Sequence, residues 1–312
     1  MPRYIKKEFN GGGAVWTAPA GVSSIKLTFI DNYLNLSTMS PNSNFIRRTG
    51  QAYGAGYNSL GQVGDGTIVD KSTPVPVSGG HSFVQASTYQ DSTFAIKNNG
   101  QVWAWGANTF GQIGDNSIVP KSAPVQISLT TVSFFKITGS AALALNGTAY
   151  TWGLNTSGQL GDNTTVRKSS PVAVVGGHSF IDLSVGSSFK AALKSDGSVW
   201  TWGDNAAYQL GNTNNTNQSS PVQVLGGHSF IQIACSDSSV LGLKADGSIL
   251  GWGANTYGEI GDATTNIRSS PVATIGGHSF IKISKGIAHS YALKADGSVW
   301  SWGSNFNGEC LY

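Results

Sequence analysis

The sequence predicts an all-β fold: a β-propeller of about six four-stranded blades, closed by pairing of N- and C-terminal strands. Three observations predict it. First, a Trp-Gly dipeptide recurs with its glycine at Gly106, Gly153, Gly203, Gly253 and Gly303, at spacings of 47, 50, 50 and 50 residues. Gly56 extends the series by one more unit, with Ala55 in place of Trp. A period of this length made of short strands is the mark of propeller blades. Second, no stretch of the chain has helical periodicity. Third, the composition is neutral and turn-rich. Among 312 residues there are 41 Gly, and charged residues are 11%, against roughly 25% in ordinary soluble domains. A hydrophobic fraction of 39% with 10% aromatics excludes a disordered chain.

Each element of one unit has a reason. Phe280, Ile281 and Ile283 make a short apolar first strand, and Ala292-Leu293 belong to a second. Asp296-Gly297 is a two-residue hairpin signal, because a type I′ turn needs positive φ at both central residues. Asp196-Gly197, Asp246-Gly247, Asn99-Gly100 and Asn146-Gly147 fill the same place. Val299 with Trp300 and Trp302 forms the third strand. A long Gly-, Asn- and Thr-rich loop follows, and Ser-Pro-Val opens an outer fourth strand around Pro171, Pro221 and Pro271, where proline costs no ladder donor.

Residues 1–312 read as a single propeller domain, with 1–56 a degenerate first repeat. In that repeat Ser24–Thr28 has the character of a first strand. Phe45–Gly50 falls where Ala292–Gly297 does, and an insertion is expected between them at Asn35–Asn44. The last unit stops at Tyr312 before its fourth strand, so a strand within Val15–Pro19 is expected to supply it and close the ring. Six blades are counted; seven is the alternative if residues 1–50 hold more than one unit.

Charge and cysteine content narrow the classes of function. Nineteen Lys and Arg against sixteen Asp and Glu give a net +3 without a basic cluster, which argues against nucleic acid as a partner. Cys235 and Cys310 make neither a disulfide scaffold nor a zinc site. No apolar run approaches the ~18 residues of a membrane helix. The start, Met1-Pro2-Arg3-Tyr4-Ile5-Lys6-Lys7, lacks the apolar segment of a secretory signal peptide. Only three glutamates occur, Glu8, Glu259 and Glu309, and no Gly-x-Ser-x-Gly, His-Glu-x-x-His or phosphate loop is present. No enzymatic activity, cofactor or metal is expected.

The pattern Trp-Gly-x-Asn-x-x-Gly-Gln-[Leu/Ile]-Gly-Asp, then Ser-Pro-Val, then Ser-x-Ala-Leu-Lys-x-Asp-Gly-Ser-Val-Trp resembles the regulator-of-chromosome-condensation repeat over Ala52–Gly308. The resemblance implies a propeller, usually of seven blades. It implies no single function, because members include a nuclear exchange factor for a small GTPase, a bacterial inhibitor of β-lactamase, and bacterial and phage surface proteins. A shorter stretch, Gly11-Gly12-Gly13-Ala14-Val15-Trp16-Thr17-Ala18-Pro19-Ala20-Gly21-Val22-Ser23-Ser24-Ile25, is similar to Gly-rich openings of phage tail and bacterial surface β proteins.

Three sets of residues are candidates for a role. Asp65/Lys71, Asp115/Lys121, Asp162/Lys168 and Asp262/Arg268 recur six residues apart, and the remaining unit changes both, to Asn212 and Gln218. Joint change implies that the side chains meet. An exposed pair contributes ~0–1 kcal/mol, so the pairs are read as shaping the loop. His81, His178, His228 and His278 recur in Gly-Gly-His-Ser-Phe, one per blade, and are read as polar inter-blade caps; the non-repeated His289 is read as a turn residue. Phe110, Tyr208, Tyr257 and the near-equivalent Phe306 stand in the long loops, broken by Leu60 and Ser157, and make a candidate binding rim. The Trp103/Trp105 and Trp200/Trp202 pairs are read as core.

The resulting expectation is a non-enzymatic binding or structural propeller, most of all a phage virion protein (tail, fibre or decoration, with a part in host attachment) or a bacterial surface protein. Its partners would be a protein or glycan surface ligand and other virion proteins, with no nucleic acid and no membrane insertion. The alternative is an intracellular protein-binding regulator of the exchange-factor or inhibitor type, which would place the chain in the cytoplasm.

Overall fold

The computed structural model describes residues 33–38, 42–47 and 49–306. Those residues form 23 strands in six antiparallel sheets and no helix. Blade one holds β1 (Tyr33–Thr38), β2 (Asn42–Arg47), β3 (Ala52–Gly56) and β4 (Lys71–Pro76). Blade two holds β5 (Gln85–Tyr89), β6 (Ser92–Ile96), β7 (Val102–Gly106) and β8 (Lys121–Gln126). Blade three holds β9 (Phe134–Thr138), β10 (Ala141–Ala144), β11 (Ala149–Gly153) and β12 (Lys168–Ala173). Blade four holds β13 (Asp182–Val185), β14 (Phe189–Leu193), β15 (Val199–Gly203) and β16 (Gln218–Gln223). Blade five holds β17 (Phe230–Cys235), β18 (Ser239–Lys244), β19 (Ile249–Gly253) and β20 (Arg268–Ala273). Blade six has three strands among the described residues: β21 (Lys282–Lys285), β22 (His289–Leu293) and β23 (Val299–Gly303).

Strand order within each sheet is sequence order. The up-and-down path sorts the connections onto two faces. The turns between second and third strands, and the linkers between blades, share what we term the turn face. The long loops between third and fourth strands share the loop face with the turns between first and second strands.

Blade one corrects the reading of the N-terminus. Its first strand is Tyr33–Thr38, paired with Asn42–Arg47, so Asn35–Asn44 is the first hairpin and not an insertion. Phe45–Gly50 does fall in the register of Ala292–Gly297: Ile46 faces Ala52 as Leu293 faces Val299. Ser24–Thr28 and the closing segment Val15–Pro19 lie outside the described residues.

Successive blades join at both faces. On the turn face the Phe83 N–H donates to the Gly50 carbonyl at 2.7 Å, and Phe134, Phe180, Phe230 and Phe280 repeat the bond to Gly100, Gly147, Gly197 and Gly247 at 2.8–2.9 Å. On the loop face the Trp105 indole donates to the Gln62 carbonyl of the preceding blade at 3.1 Å, and Trp152, Trp202, Trp252 and Trp302 do the same with Gln112, Gln159, Gln209 and Glu259. The Gly-Gln-x-Gly motif is thereby explained. A Cβ on Gly64, whose φ is +80°, would lie 2.5 Å from the Trp105 Nε1. The core is these stacked interfaces, where Phe94 and Trp152, or Phe230 and Trp252, are fully or almost fully buried.

Candidate functional site

Each long loop is organised by one buried asparagine: Asn58, Asn108, Asn155, Asn205 or Asn255. In the third blade the Asn155 Nδ2 shares its protons among Asp162 Oδ1, the Thr164 carbonyl and the Val166 carbonyl, each at 3.1 Å. Its Oδ1 accepts the Leu160 N–H at 2.9 Å. One side chain thus ties four points of the loop. A residue type held constant in every unit hinted at this, but the sequence reading gave the asparagine no role.

The aspartates work inside that frame. Asp162 accepts the Thr164 N–H at 3.1 Å and its hydroxyl at 2.7 Å, leaving its second oxygen toward Lys168 at 3.9 Å. Lys71 lies 3.0 Å from Asp65, Lys121 3.0 Å from Asp115, and Arg268 2.5 Å from Asp262. Burial pushes the Asp65, Asp115 and Asp262 carboxyls up, but hydrogen bonds from the neighbouring Thr or Ser and the adjacent cation outweigh it. All three are held below the usual carboxylate range. Asn212 and Gln218 do not bond each other. Asn212 takes the Asn205 amide at 3.0 Å, and Gln218 donates to the Thr216 carbonyl at 3.3 Å.

The four rim candidates do not form one ring. Tyr257 and Phe306, on adjacent blades, meet edge to face with centroids 5.7 Å apart while 47% and 82% exposed. Phe110 is exposed on the second blade. The Phe110 and Tyr257 backbones are fixed, since their N–H groups donate to Gln112 Oε1 and Glu259 Oε2 at 2.8 Å. Tyr208 departs from the expected alignment. It stands at the position of Gly111 and Gly158, half-buried, with φ +58°.

Three of the four histidines lie on a tryptophan of the blade they lead into, and His228 meets Phe230. His81, His178 and His278 lie on Trp103, Trp200 and Trp300 with centroids 4.1, 4.2 and 4.1 Å apart. Lys97, Lys194 and Lys294 approach the same indoles at 4.2, 4.4 and 4.3 Å. Burial, and then the adjacent Lys97 or Lys194, pulls the His81 and His178 imidazoles below their ordinary value. The Trp pairs therefore divide. Trp105 and Trp202 are core, whereas Trp103 and Trp200 are only half-buried, under His and Lys near the turn face. His289 is not in a turn: it opens β22, is buried, and packs on Gly286. Among the described residues no three His, Cys, Asp or Glu gather as a metal would need.

Several buried groups escaped the sequence reading. Lys190 is almost wholly buried, and burial pushes its ammonium down to about 8. Lys285, also pushed down to about 8 by burial despite nearby Glu259, donates to the Ser290 hydroxyl at 3.1 Å. Burial pushes the Cys235 thiol up to about 12, which leaves it protonated and a poor nucleophile at neutral pH. Tyr89 crosses the channel end on the loop face, its hydroxyl donating to the Gly186 and Ser187 carbonyls of blade four. Burial, and then Asp237, raises it to about 12.

No curated protein sequence matches the chain. Among solved structures, human WBSCR16 superposes with a TM-score of 0.80 at 20% identity, covering 90% of this chain and 78% of that one. The yeast RCC1 (Prp20) bound to Kap60 gives 0.76 at 20% identity, covering 88% and 70%. Prp20p from Saccharomyces cerevisiae, described with its binding to Gsp1p and histones, gives 0.75 at 20% identity, covering 87% and 72%. These likenesses show the fold. The RCC1-like domain family matches residues 26–311, nearly the whole chain, and the chain belongs to that family.

Proposed function

We propose that this chain is a non-enzymatic, protein-binding propeller whose contacts are made by the long loops of the loop face. The observation that carries this is the exposed Tyr257–Phe306 pair, in which the Tyr257 backbone is fixed by its N–H bond to Glu259. Aromatic anchors on a rigid support lose little entropy on binding and dominate interface energetics. Against an identified partner, Tyr257→Ala with Phe306→Ala should weaken binding about tenfold or more at an unchanged melting temperature. Unaltered affinity would remove the pair from the interface.

The setting we propose is a virion or cell surface, with a protein or glycan ligand. The low charge content and the Gly11–Ile25 opening support it. The intracellular-regulator reading is favoured by the relatives described with Kap60, Gsp1p and histones. Mass spectrometry of purified particles and of cell fractions separates the two. Stoichiometric presence in particles fits the first reading; a soluble complex with one partner fits the second.

A further inference from the structure

The turn face carries a second pattern, independent of the loop-face rim. The residue after the linker phenylalanine, at the start of the inner strand or just before it, is apolar in each of blades two to six: Val84, Phe135, Ile181, Ile231 and Ile281, between 41% and 56% exposed. The preceding phenylalanines, such as Phe83 and Phe230, are buried and account for packing. Folding does not ask for a hydrocarbon at the exposed position, where a polar side chain would cost nothing. Inner strands of successive blades adjoin, so these residues stand at the turn-face ends of neighbouring inner strands.

In blades two, four, five and six a lysine stands beside this residue, at or just past the end of the second strand. Val84, Ile181 and Ile281 donate to the carbonyls of Ile96, Leu193 and Leu293 at 2.8 Å, which seats them next to Lys97, Lys194 and Lys294. Lys244 holds the same place in blade five. Three of these ammoniums are steadied against indoles. In blade three the buried Ala144 faces Phe134 in that place, and the exposed apolar residues are Phe135 and, one position into the turn, Leu145, the latter 72% exposed. With Arg47, Lys136 and Lys282, cations outnumber the carboxylates of this face, Asp182, Asp196, Asp246 and Asp296; Asp182 is paired with Lys136, and Asp246 with Lys244 at 3.2 Å.

We propose that the turn face docks an acidic protein segment, one that sets an aliphatic or aromatic side chain on Phe135 and Leu145 and carboxylates opposite the neighbouring lysines. A patch of repeated exposed apolar residues rimmed by fixed charge is how interaction sites differ from ordinary surface. An anionic membrane is the poorer fit. The cations are held down against indoles, and turn carboxylates stand among them, whereas membrane-surface binding favours an unbroken basic face.

The test is selection of a random peptide library on the immobilised full-length protein, with Phe135→Ser/Leu145→Ser and Lys194→Glu/Lys244→Glu variants beside it. Vesicles of mixed phosphatidylserine and phosphatidylcholine are the second probe. Enriched peptides should carry Asp or Glu next to Leu or Phe and bind more weakly as salt rises. They should lose about tenfold or more in affinity on either double variant. Tyr257→Ala/Phe306→Ala should bind them normally, and circular dichroism should show every variant folded. Enrichment without acidic residues, full affinity in a folded Phe135→Ser/Leu145→Ser variant, or vesicle binding in the absence of peptide binding would each overturn the proposal.

Discussion

Asn155 shows how much of a loop can rest on one amide. It is fully buried and bonded at both ends of its side chain, so truncation leaves several backbone groups of the loop without their partner. Asn155→Ala should cost about 3 kcal/mol in chemical denaturation. Asp162→Asn should cost less than about 1 kcal/mol, because the amide oxygen can still accept, as Asn212 does in the fourth blade. Lys190 gives a prediction of opposite sign. Its folded value near 8 lies below the ordinary 10.5, so the native state binds fewer protons than the unfolded state between those values. Stability should therefore rise with pH from about 8 to about 10.5, and the penalty is fully present below 8. Lys190→Met should raise stability at pH 7 by about 3 kcal/mol and flatten that rise, read from melting curves across the range. The Asp–Lys pairs were legible in sequence because both members change together in one repeat. Lys190 was not, since nothing in a strand's alternation says which lysine is buried. Tyr208 was misplaced because one aromatic beside a motif glycine looks like another until the backbone is seen.

At the scale of the strand, the inner strands pose a problem that neighbours solve. Each has one edge without a ladder partner, and side chains of the preceding blade cap it. The Gln232 amide donates to the Ile283 carbonyl at 3.0 Å and accepts its N–H at 2.9 Å, standing in for a strand. Gln85 does the same for Ile137 at 3.3 and 3.2 Å, and between blades three and four the Lys136–Asp182 pair replaces the amide. Gln232→Ala should cost about 1–2 kcal/mol and speed amide exchange at Ile283 ahead of the rest of β21. Unchanged exchange there would mean that the cap contributes nothing. Strands that end in Asp-Gly or Asn-Gly were readable because the turn chemistry is explicit. The first hairpin was not, since Met39-Ser40-Pro41 separates its strands without such a signal. Period two also sets Trp103 and Trp105 on one face; it does not say that the first stands at the strand's outer end, where His81 and Lys97 cover it.

For the molecule as a whole, the open question of assembly sits at β23. Val299 is 42% exposed against 2% for Val199, which a fourth strand covers, and Trp300 is exposed where Trp200 is half-buried. A groove of 830 Å³ runs beside them, lined by Ile275, His278, Trp300 and Ser301. The sequence assigns that place to a strand from the N-terminal segment. Removing residues 1–32 should lower the melting temperature by about 5–10 °C and let the bare edge pair with a second copy, visible in sedimentation velocity. A truncated chain that melts as the full one does and stays monomeric would mean that the fourth strand comes from elsewhere. Six units were countable because each carries its own turn and Trp-Gly signals, while closure depends on a pairing between chain ends that no local pattern records.

The indole-to-carbonyl bond between blades bears on ancestry. Each unit from the second to the fifth offers a carbonyl to its successor and an indole to its predecessor, with the same chemistry at five junctions. A unit copied or deleted in frame leaves no unmatched half at the splice. Blade number can therefore drift by whole-repeat duplication and loss, and the circumference that the inner strands can enclose sets the limit.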